Sequence, residues 1–215
     1  MTTDPVFDGF GEGAVEFYDG LLADNSKAYW ADHRQVYERD VRHPMLALLA
    51  ALEHEFGAGK VFRPYRDVRF SHDKTPYKTQ CGGFAAPYYV EVSAEGLLAA
   101  AGYYRMTSDQ LARFRAAVAD ERRGADLANR LAAVESAGLT VAGELLKRRP
   151  RGVDPAHPRL DLLRHKSLYV SRRWPPDDVL HERGCLDRVA ATWRAGRPVA
   201  EWLADHVGPG EQPQR

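Results

Sequence analysis

The sequence predicts an α+β fold, with a mainly antiparallel sheet and helices packed on it, in a single domain over residues 1–207. Three observations support this prediction. Before residue 57 and after residue 107, apolar residues recur at intervals of three and four, which is the spacing of one helical face. Residues 88–104 alternate in polarity around a turn, as the strands of a β-hairpin do. A chain of 215 residues is long enough to bury one sizeable core.

The first part of the chain is predicted to be helical. A short helix covers residues 15–23, and Asp24-Asn25-Ser26 forms a break and an N-cap, because these side chains accept hydrogen bonds from first-turn amides. The next helix begins near Lys27 and has Trp30 on its apolar face. Pro44 predicts a kink or break in that helix, because proline cannot donate to the backbone ladder.

The middle of the chain is predicted to form short strands. Two of them cover residues 60–63 and 68–71, a turn follows over residues 72–76, and Gly82-Gly83 makes a second flexible point. The hairpin of residues 88–104 comes next. Together these elements supply most of the antiparallel sheet of the predicted fold.

The C-terminal half is predicted to be helical, with two further strands. Thr107 and Gln110 have the spacing of a capping box at the start of the first helix. The later predicted helices cover residues 126–136, 158–165, 176–180, 185–195 and 199–207. Residues 139–141 and 167–172 are the predicted strands, the former at an edge of the sheet. Residues 208–215 have the composition of a disordered tail.

The composition argues against several classes of partner and location. The 30 basic and 30 acidic residues give no net charge, which argues against nucleic acid as a partner. No run of 18 apolar residues is present, and the start lacks the pattern of a signal peptide, so we expect no membrane contact. Cys81 and Cys185 are far apart and are predicted to be reduced thiols in a cytoplasmic protein.

Residues 63–83 contain the densest mixture of charged, aromatic and turn-forming residues in the chain. Five cations stand against two carboxylates: Arg63, Arg66, Arg69, Lys74 and Lys78 against Asp67 and Asp73. Two of the chain's six lysines are in this segment, and an ammonium group is not interchangeable with a guanidinium group. The segment is therefore the predicted site, and an anionic small molecule is the predicted ligand.

Two interpretations of this segment stay open. In the first, Asp67 holds an arginine toward a carboxylate or phosphate, and Asp67 or Asp73 moves protons. Lys74 or Lys78, surrounded by other cations, has a lowered pKa and acts as a base or nucleophile. In the second, the carboxylates only pair with neighbouring cations and hold a loop against the sheet.

Common catalytic and cofactor motifs are missing from the sequence. There is no glycine-rich phosphate loop, no His-Glu-x-x-His and no Cys-x-x-Cys. His72 and Asp73 are adjacent, but a metal ion needs further ligands that the spacing does not supply, so we predict no metal site. The sequence points to no particular cofactor. The basic connector over residues 147–158, which includes Arg148 and Arg149, is either a solvated loop or a nucleic-acid contact.

One segment closely resembles the signature of a family of bacterial and fungal conserved hypothetical proteins, domain of unknown function 2461. It covers residues 66–78 and reads Arg-Asp-Val-Arg-Phe-Ser-His-Asp-Lys-Thr-Pro-Tyr-Lys. Four further segments resemble parts of the same family: residues 25–30, 88–104, 150–152 and 163–166. The resemblance covers residues 7–205 and implies a single α+β domain, but it supplies no reaction. Four lysines lie in matching segments: Lys27, Lys74, Lys78 and Lys166.

The leading hypothesis is a cytoplasmic domain that binds an anionic small molecule, and the sequence leaves open whether it is an enzyme. Its predicted catalytic residues are Asp67, Asp73 and Lys74. Its predicted ligand-binding residues are Arg63, Arg66, Arg69, Ser71, Tyr77, Lys78, Lys27, Trp30 and Lys166. The alternatives are a non-catalytic binding or scaffold module whose charges are satisfied internally, and a nucleic-acid-binding protein.

Overall fold

The structure is a computed structural model that describes residues 6–69 and 72–210. Its helices are α1 (Gly13–Ala23), α2 (Lys27–Val36), α3 (His43–Phe56), α4 (Ser108–Ala119), α5 (Glu121–Ser136), α6 (Leu160–Leu163) and α7 (Gly184–His206). A π-helical segment, Tyr37–Arg42, joins α2 to α3, and a 3-10 helix covers Asp178–His181. The strands are β1 (Lys60–Val61), β2 (Gln80–Ala85), β3 (Tyr88–Ser93), β4 (Gly96–Tyr103), β5 (Thr140–Ala142) and β6 (Leu168–Trp174).

The six strands form an antiparallel sheet in the order β1-β2-β3-β4-β6-β5. β2 and β3 pair along their whole length, from Gln80 opposite Ser93 to Ala85 opposite Tyr88. The predicted hairpin is present as β3 and β4, and the predicted edge strand is β5, at one end of the sheet. The α+β fold class predicted from the sequence is therefore confirmed.

The chain divides into two compact units. Within the described residues, the first unit contains the chain up to Ala99 together with Arg173–Ala191, and the second unit contains the rest. The charged segment that the sequence analysis selected lies in the first unit, which also contains α1, α2, α3 and the strands β1 to β3.

The two adjacent glycines of β2 allow close packing on both of its faces. A Cβ on Gly83 would lie 2.9 Å from Leu49 Cδ1 and 3.0 Å from Met45 Sδ, both on α3. A Cβ on Gly82 would meet the ring and hydroxyl of Tyr89. The prediction of a flexible point at Gly82-Gly83 was therefore wrong, because the missing side chains serve close approach within a regular strand.

Of the kink or break predicted at Pro44, the break is absent, and a π-helical segment stands directly before α3. The His43 N–H donates to the Glu38 carbonyl, five residues earlier. Pro44 has no N–H to offer the Asp40 carbonyl, and the Gly11 N–H donates to that carbonyl instead, at 2.9 Å. A residue distant in sequence thus satisfies the backbone acceptor that the proline leaves without its helical donor.

The helices of the second half mostly follow the predictions. α4 begins with the predicted capping box of Thr107 and Gln110. α5 begins earlier than predicted, because Asp120 caps it by accepting from the Arg123 N–H. The two helices predicted on either side of Pro198 are a single helix, α7, and that prediction was wrong. The burial of apolar side chains beyond the proline, with Trp202 fully buried, outweighs the one hydrogen bond that proline removes.

The predicted strand over residues 68–71 is wrong for its described part. Val68 has no regular secondary structure and Arg69 is in a turn, while residues 70 and 71 lie outside the described residues. The loop containing Val68 and Arg69 is held by side-chain contacts of its own, which replace the ladder of a strand.

The predicted tail begins at Gly208, and its first residues have partners. The Gly208 carbonyl accepts from Gln110 Nε2 at 2.8 Å, and the Pro209 carbonyl accepts from Arg113 Nη2 at 2.6 Å. Residues 211–215 lie outside the described part of the chain, so the prediction of disorder for them stays a prediction.

Candidate functional site

The charged segment forms a two-stranded arm that continues from β1 and β2. Tyr65 and Tyr77 lie opposite one another as an isolated antiparallel pair. A backbone hydrogen bond on each side of this pair, at 2.9 and 2.8 Å, completes the ladder. We call residues 62–69 and 72–79 the basic arm, and residues 67–69 and 72–75 are the described part of the loop at its end.

Asn25, just before α2, forms hydrogen bonds with the basic arm. Its Nδ2 donates to the Tyr77 carbonyl at 3.1 Å, and its Oδ1 accepts from the Tyr77 N–H at 3.0 Å. The side-chain amide therefore satisfies both backbone groups of Tyr77, as a neighbouring strand would. Ser26 is the N-cap of α2 and accepts from the Tyr29 N–H at 3.1 Å, which leaves Asn25 available to the arm.

Trp30 and Tyr77, both predicted to bind the ligand, stack on one another. Their ring centroids are 4.3 Å apart and their planes differ by 7°. Both side chains are buried, and Tyr37 packs on the Trp30 ring at 4.8 Å. Tyr65 lies at the outer side of this cluster and is 48% exposed. The stack holds the arm in place, and of these four rings only Tyr65 is open to solvent.

Ion pairs within the loop hold its shape. Arg69 forms a bidentate ion pair with the Asp67 carboxylate, in which its Nε and Nη2 donate at 2.9 and 2.7 Å. Arg66 donates to the Asp73 carboxylate and to the Thr75 hydroxyl. Two of the predicted ligand-binding arginines are thus engaged by the two predicted catalytic carboxylates, as the structural interpretation of this segment expects.

The loop carboxylates are held in their ionised form. The hydrogen bonds from the Arg69 side chain and backbone lower the pKa of Asp67 to about 2. The hydrogen bonds from the Thr75 backbone and the Arg66 side chain lower the pKa of Asp73 to about 2. A carboxylate with so low a pKa is a weak base and is not protonated at neutral pH. This environment suits the orientation of cations better than it suits proton transfer.

Arg63 and Lys78 differ from the cations of the loop. In the described part of the chain, neither of them forms an ion pair with a carboxylate. Arg63 lies within electrostatic range of Asp67, but the oxygens of that carboxylate already accept from Arg69. Burial, and then the charge of Arg63, lower the pKa of the Lys78 ammonium. We call Arg63 and Lys78 the cation pair.

Comparison with known protein families identifies the family of this chain. The family described as conserved hypothetical protein (DUF2461) matches residues 13–202. The chain belongs to this family. The matched region contains Asn25 and the whole basic arm, and the resemblance stated from residues 66–78 is confirmed. No curated protein and no solved structure matches the chain.

The remaining predicted residues of this DUF2461 protein have other surroundings. Lys27 is the exposed first residue of α2. The Lys74 ammonium donates to a backbone carbonyl of the loop at 2.9 Å. Lys166 belongs to the second unit, where its ammonium pairs with Glu144. Ser71 lies outside the described residues.

The sequence analysis did not select a buried polar contact next to the arm. The Tyr37 hydroxyl is buried without a nitrogen or oxygen partner among residues 6–69 and 72–210, and it lies beside the Cys81 thiol. Burial raises the pKa of Cys81 to about 12, so the thiol stays protonated at neutral pH. Tyr37 begins the π-helical segment, and the nearby Pro44 was the only sequence signal for that geometry.

Phe62 is a second residue that the sequence analysis passed over. It precedes Arg63 and has 42% of its surface exposed, and the Lys78 ammonium lies 5.0 Å from the centroid of its ring. Its position directly before Arg63 in the sequence could have identified it as an aromatic residue next to the charged segment. Lys78 thus has an aromatic neighbour.

The residues that the structure describes contain no group of three or more His, Cys, Asp or Glu side chains placed to hold a metal ion. In particular, the Asp73 carboxylate beside His72 accepts from Arg66 and Thr75. Over the same residues, no helix combines the length and apolar character needed to cross a membrane.

Proposed function

We propose that this DUF2461 protein binds an anionic small molecule, bearing a phosphate or carboxylate group, through Arg63 and Lys78. The observation that carries this proposal is that no carboxylate of the described chain pairs with either cation. Burial lowers the pKa of the Lys78 ammonium, and a bound anion would stabilise its charged form. The guanidinium of Arg63 adds a fork of donors that suits phosphate and carboxylate oxygens.

The rest of the basic arm supports the cation pair without contacting the ligand. Arg66, Arg69 and Lys74 already donate within the loop, so we assign them to holding its shape. Asp67 and Asp73 orient these cations. An arm held by its own contacts needs little ordering when the ligand binds, which favours affinity.

We also propose a cytoplasmic location. Cys81 and Cys185 are both buried and neither is in a disulfide, as the sequence analysis expects for a reducing compartment.

A non-catalytic scaffold role is the second candidate function. The ion pairs Arg66–Asp73 and Arg69–Asp67 favour it, because they satisfy most charges of the arm internally. In that case Arg63 and Lys78 are solvated surface cations and bind no particular anion. The two candidates therefore differ in the behaviour of these two residues alone.

Isothermal titration calorimetry with inorganic phosphate tests the proposal. We expect saturable binding that Arg63→Gln and Lys78→Gln each weaken by about tenfold or more, because each removes a charge-assisted hydrogen bond. Lys147→Gln and Arg148→Gln are matched controls, since both residues are exposed basic side chains of the second unit, and they should leave the affinity unchanged. Absence of saturable binding, or equal losses in all four variants, would contradict the proposal and favour the scaffold role.

A further inference from the structure

Three aromatic rings of the first unit lie together, and one of them is next to the Lys78 ammonium. The Phe62 ring stacks on Phe84, with centroids 4.9 Å apart and planes differing by 16°. It also tilts against Tyr89, at 6.3 Å. Phe62 is exposed and the other two are half-buried. We call Phe62, Phe84 and Tyr89 the aromatic patch.

The aromatic patch lies on the face of β2 that turns away from α3. Gly83 faces Leu49 on α3, and successive residues of a strand point to opposite faces. Gly82 and Phe84 therefore share the other face, where Tyr89 packs over Gly82. An exposed aromatic side chain that packs on two half-buried ones leaves apolar surface open to solvent, and such surface can mark a binding site.

The distance between charge and rings limits what can bind. The Lys78 ammonium lies 5.0 Å from the Phe62 ring centroid. An anion accepting from this ammonium sits about 3 Å from it, so the group bonded to the anion falls within reach of the aromatic patch. Positive charge beside flat apolar surface is complementary to a ligand that joins an anion to a flat apolar group.

We infer that the ligand of the cation pair carries a planar aromatic ring, as a nucleoside monophosphate does, and that this ring lies against the aromatic patch. The inference rests on the proposed function and specifies the ligand class of the same site. Burial of any apolar group on the patch contributes binding free energy, and an aromatic ring adds a further contribution from offset or edge-to-face contact with the other rings. Two cations and a chain without net charge match one phosphate better than a polynucleotide backbone.

Calorimetry with three probes tests the inference: inorganic phosphate, adenosine 5′-monophosphate and butyl phosphate. Stacking of one base on an aromatic side chain should make the nucleotide bind about tenfold or more tightly than phosphate. Phe62→Leu should remove most of this advantage, because it should weaken the nucleotide much more than it weakens phosphate, whereas Phe62→Trp should retain the advantage. Arg63→Gln should weaken all three probes. Tyr104→Leu, an exposed tyrosine of the second unit, is the matched control and should change none of them.

The outcomes separate this inference from the proposed function. If phosphate and the nucleotide bind equally, or butyl phosphate binds as tightly as the nucleotide, the ligand makes no specific ring contact with the aromatic patch. Anion binding by the cation pair would still stand. If Phe62→Leu weakens phosphate as much as the nucleotide, the ring contact is likewise excluded. If none of the probes binds, both the inference and the proposed function fail.

Discussion

At the scale of single residues, Tyr77 shows how the basic arm is positioned. Its ring stacks on Trp30, and its backbone N–H and carbonyl are both satisfied by Asn25, which precedes it by 52 residues. The amide of asparagine is suited to this because it offers a donor and an acceptor side by side. Without Asn25, two backbone groups next to a buried ring would lose their partners.

Asn25→Ala should therefore destabilise the protein. Leaving a part-buried donor and acceptor without partners costs about 1–3 kcal/mol, and we expect a loss of about that size in the free energy of unfolding, measured by urea denaturation. Asn129→Ala, at an exposed position of α5, is the control and should change stability little. Equal effects of the two substitutions would mean that Asn25 does not hold the arm.

The Lys78 ammonium gives anion binding a dependence on pH. Burial and Arg63 lower the pKa of Lys78 below its ordinary value of 10.5, so the charged form is lost at a lower pH than for an exposed lysine. Phosphate affinity should fall as the pH is raised toward 10.5, in calorimetric titrations at stepwise pH. Lys78→Arg should remove this dependence, because a guanidinium stays charged over the whole range. A wild-type affinity that is flat with pH would exclude Lys78 as the titrating group.

At the scale of elements, the sequence predicted what depends on local pattern. The hairpin of β3 and β4 and the capping box of α4 follow from alternation and spacing within a few residues. The π-helical segment depends instead on Gly11, which donates to the Asp40 carbonyl near Pro44. The strand character of Gly82-Gly83 depends on α3 and on Tyr89. No local pattern carries such long-range contacts, so these two features could not be predicted.

The packing of α3 on β2 predicts the cost of a methyl group at Gly83. Gly83→Ala would place a Cβ 2.9 Å from Leu49 Cδ1, and overpacking of this kind costs about 1–3 kcal/mol of unfolding free energy. The same substitution in a Leu49→Ala background should cost less, because the crowding methyl groups are gone. Chemical denaturation of the four proteins in this double-mutant cycle measures the difference. Additive effects would show that Gly83 and Leu49 are not in close contact.

At the scale of the whole molecule, a chain without net charge presents local positive charge. The 30 basic and 30 acidic residues balance, so long-range attraction of polyanions is weak and any anion must be recognised locally. From its density of cations, the sequence predicted the segment in which we propose that an anion binds. It could not predict which cations pair with carboxylates, because the pairing depends on the shape of the loop. Within the described residues, Arg66 and Arg69 form such ion pairs, whereas Arg63 and Lys78 do not.

The central claim, that the cation pair binds an anion, is tested most directly by mapping where phosphate binds. Amide chemical shifts of the isotope-labelled protein, followed during titration with inorganic phosphate, report every non-proline backbone position that responds. We expect saturable shifts concentrated at residues 62, 63 and 77–79, and their loss in the double variant Arg63→Gln/Lys78→Gln. Shifts centred on residues 147–151, shifts that persist in the double variant, or no saturable shifts at all would contradict the claim.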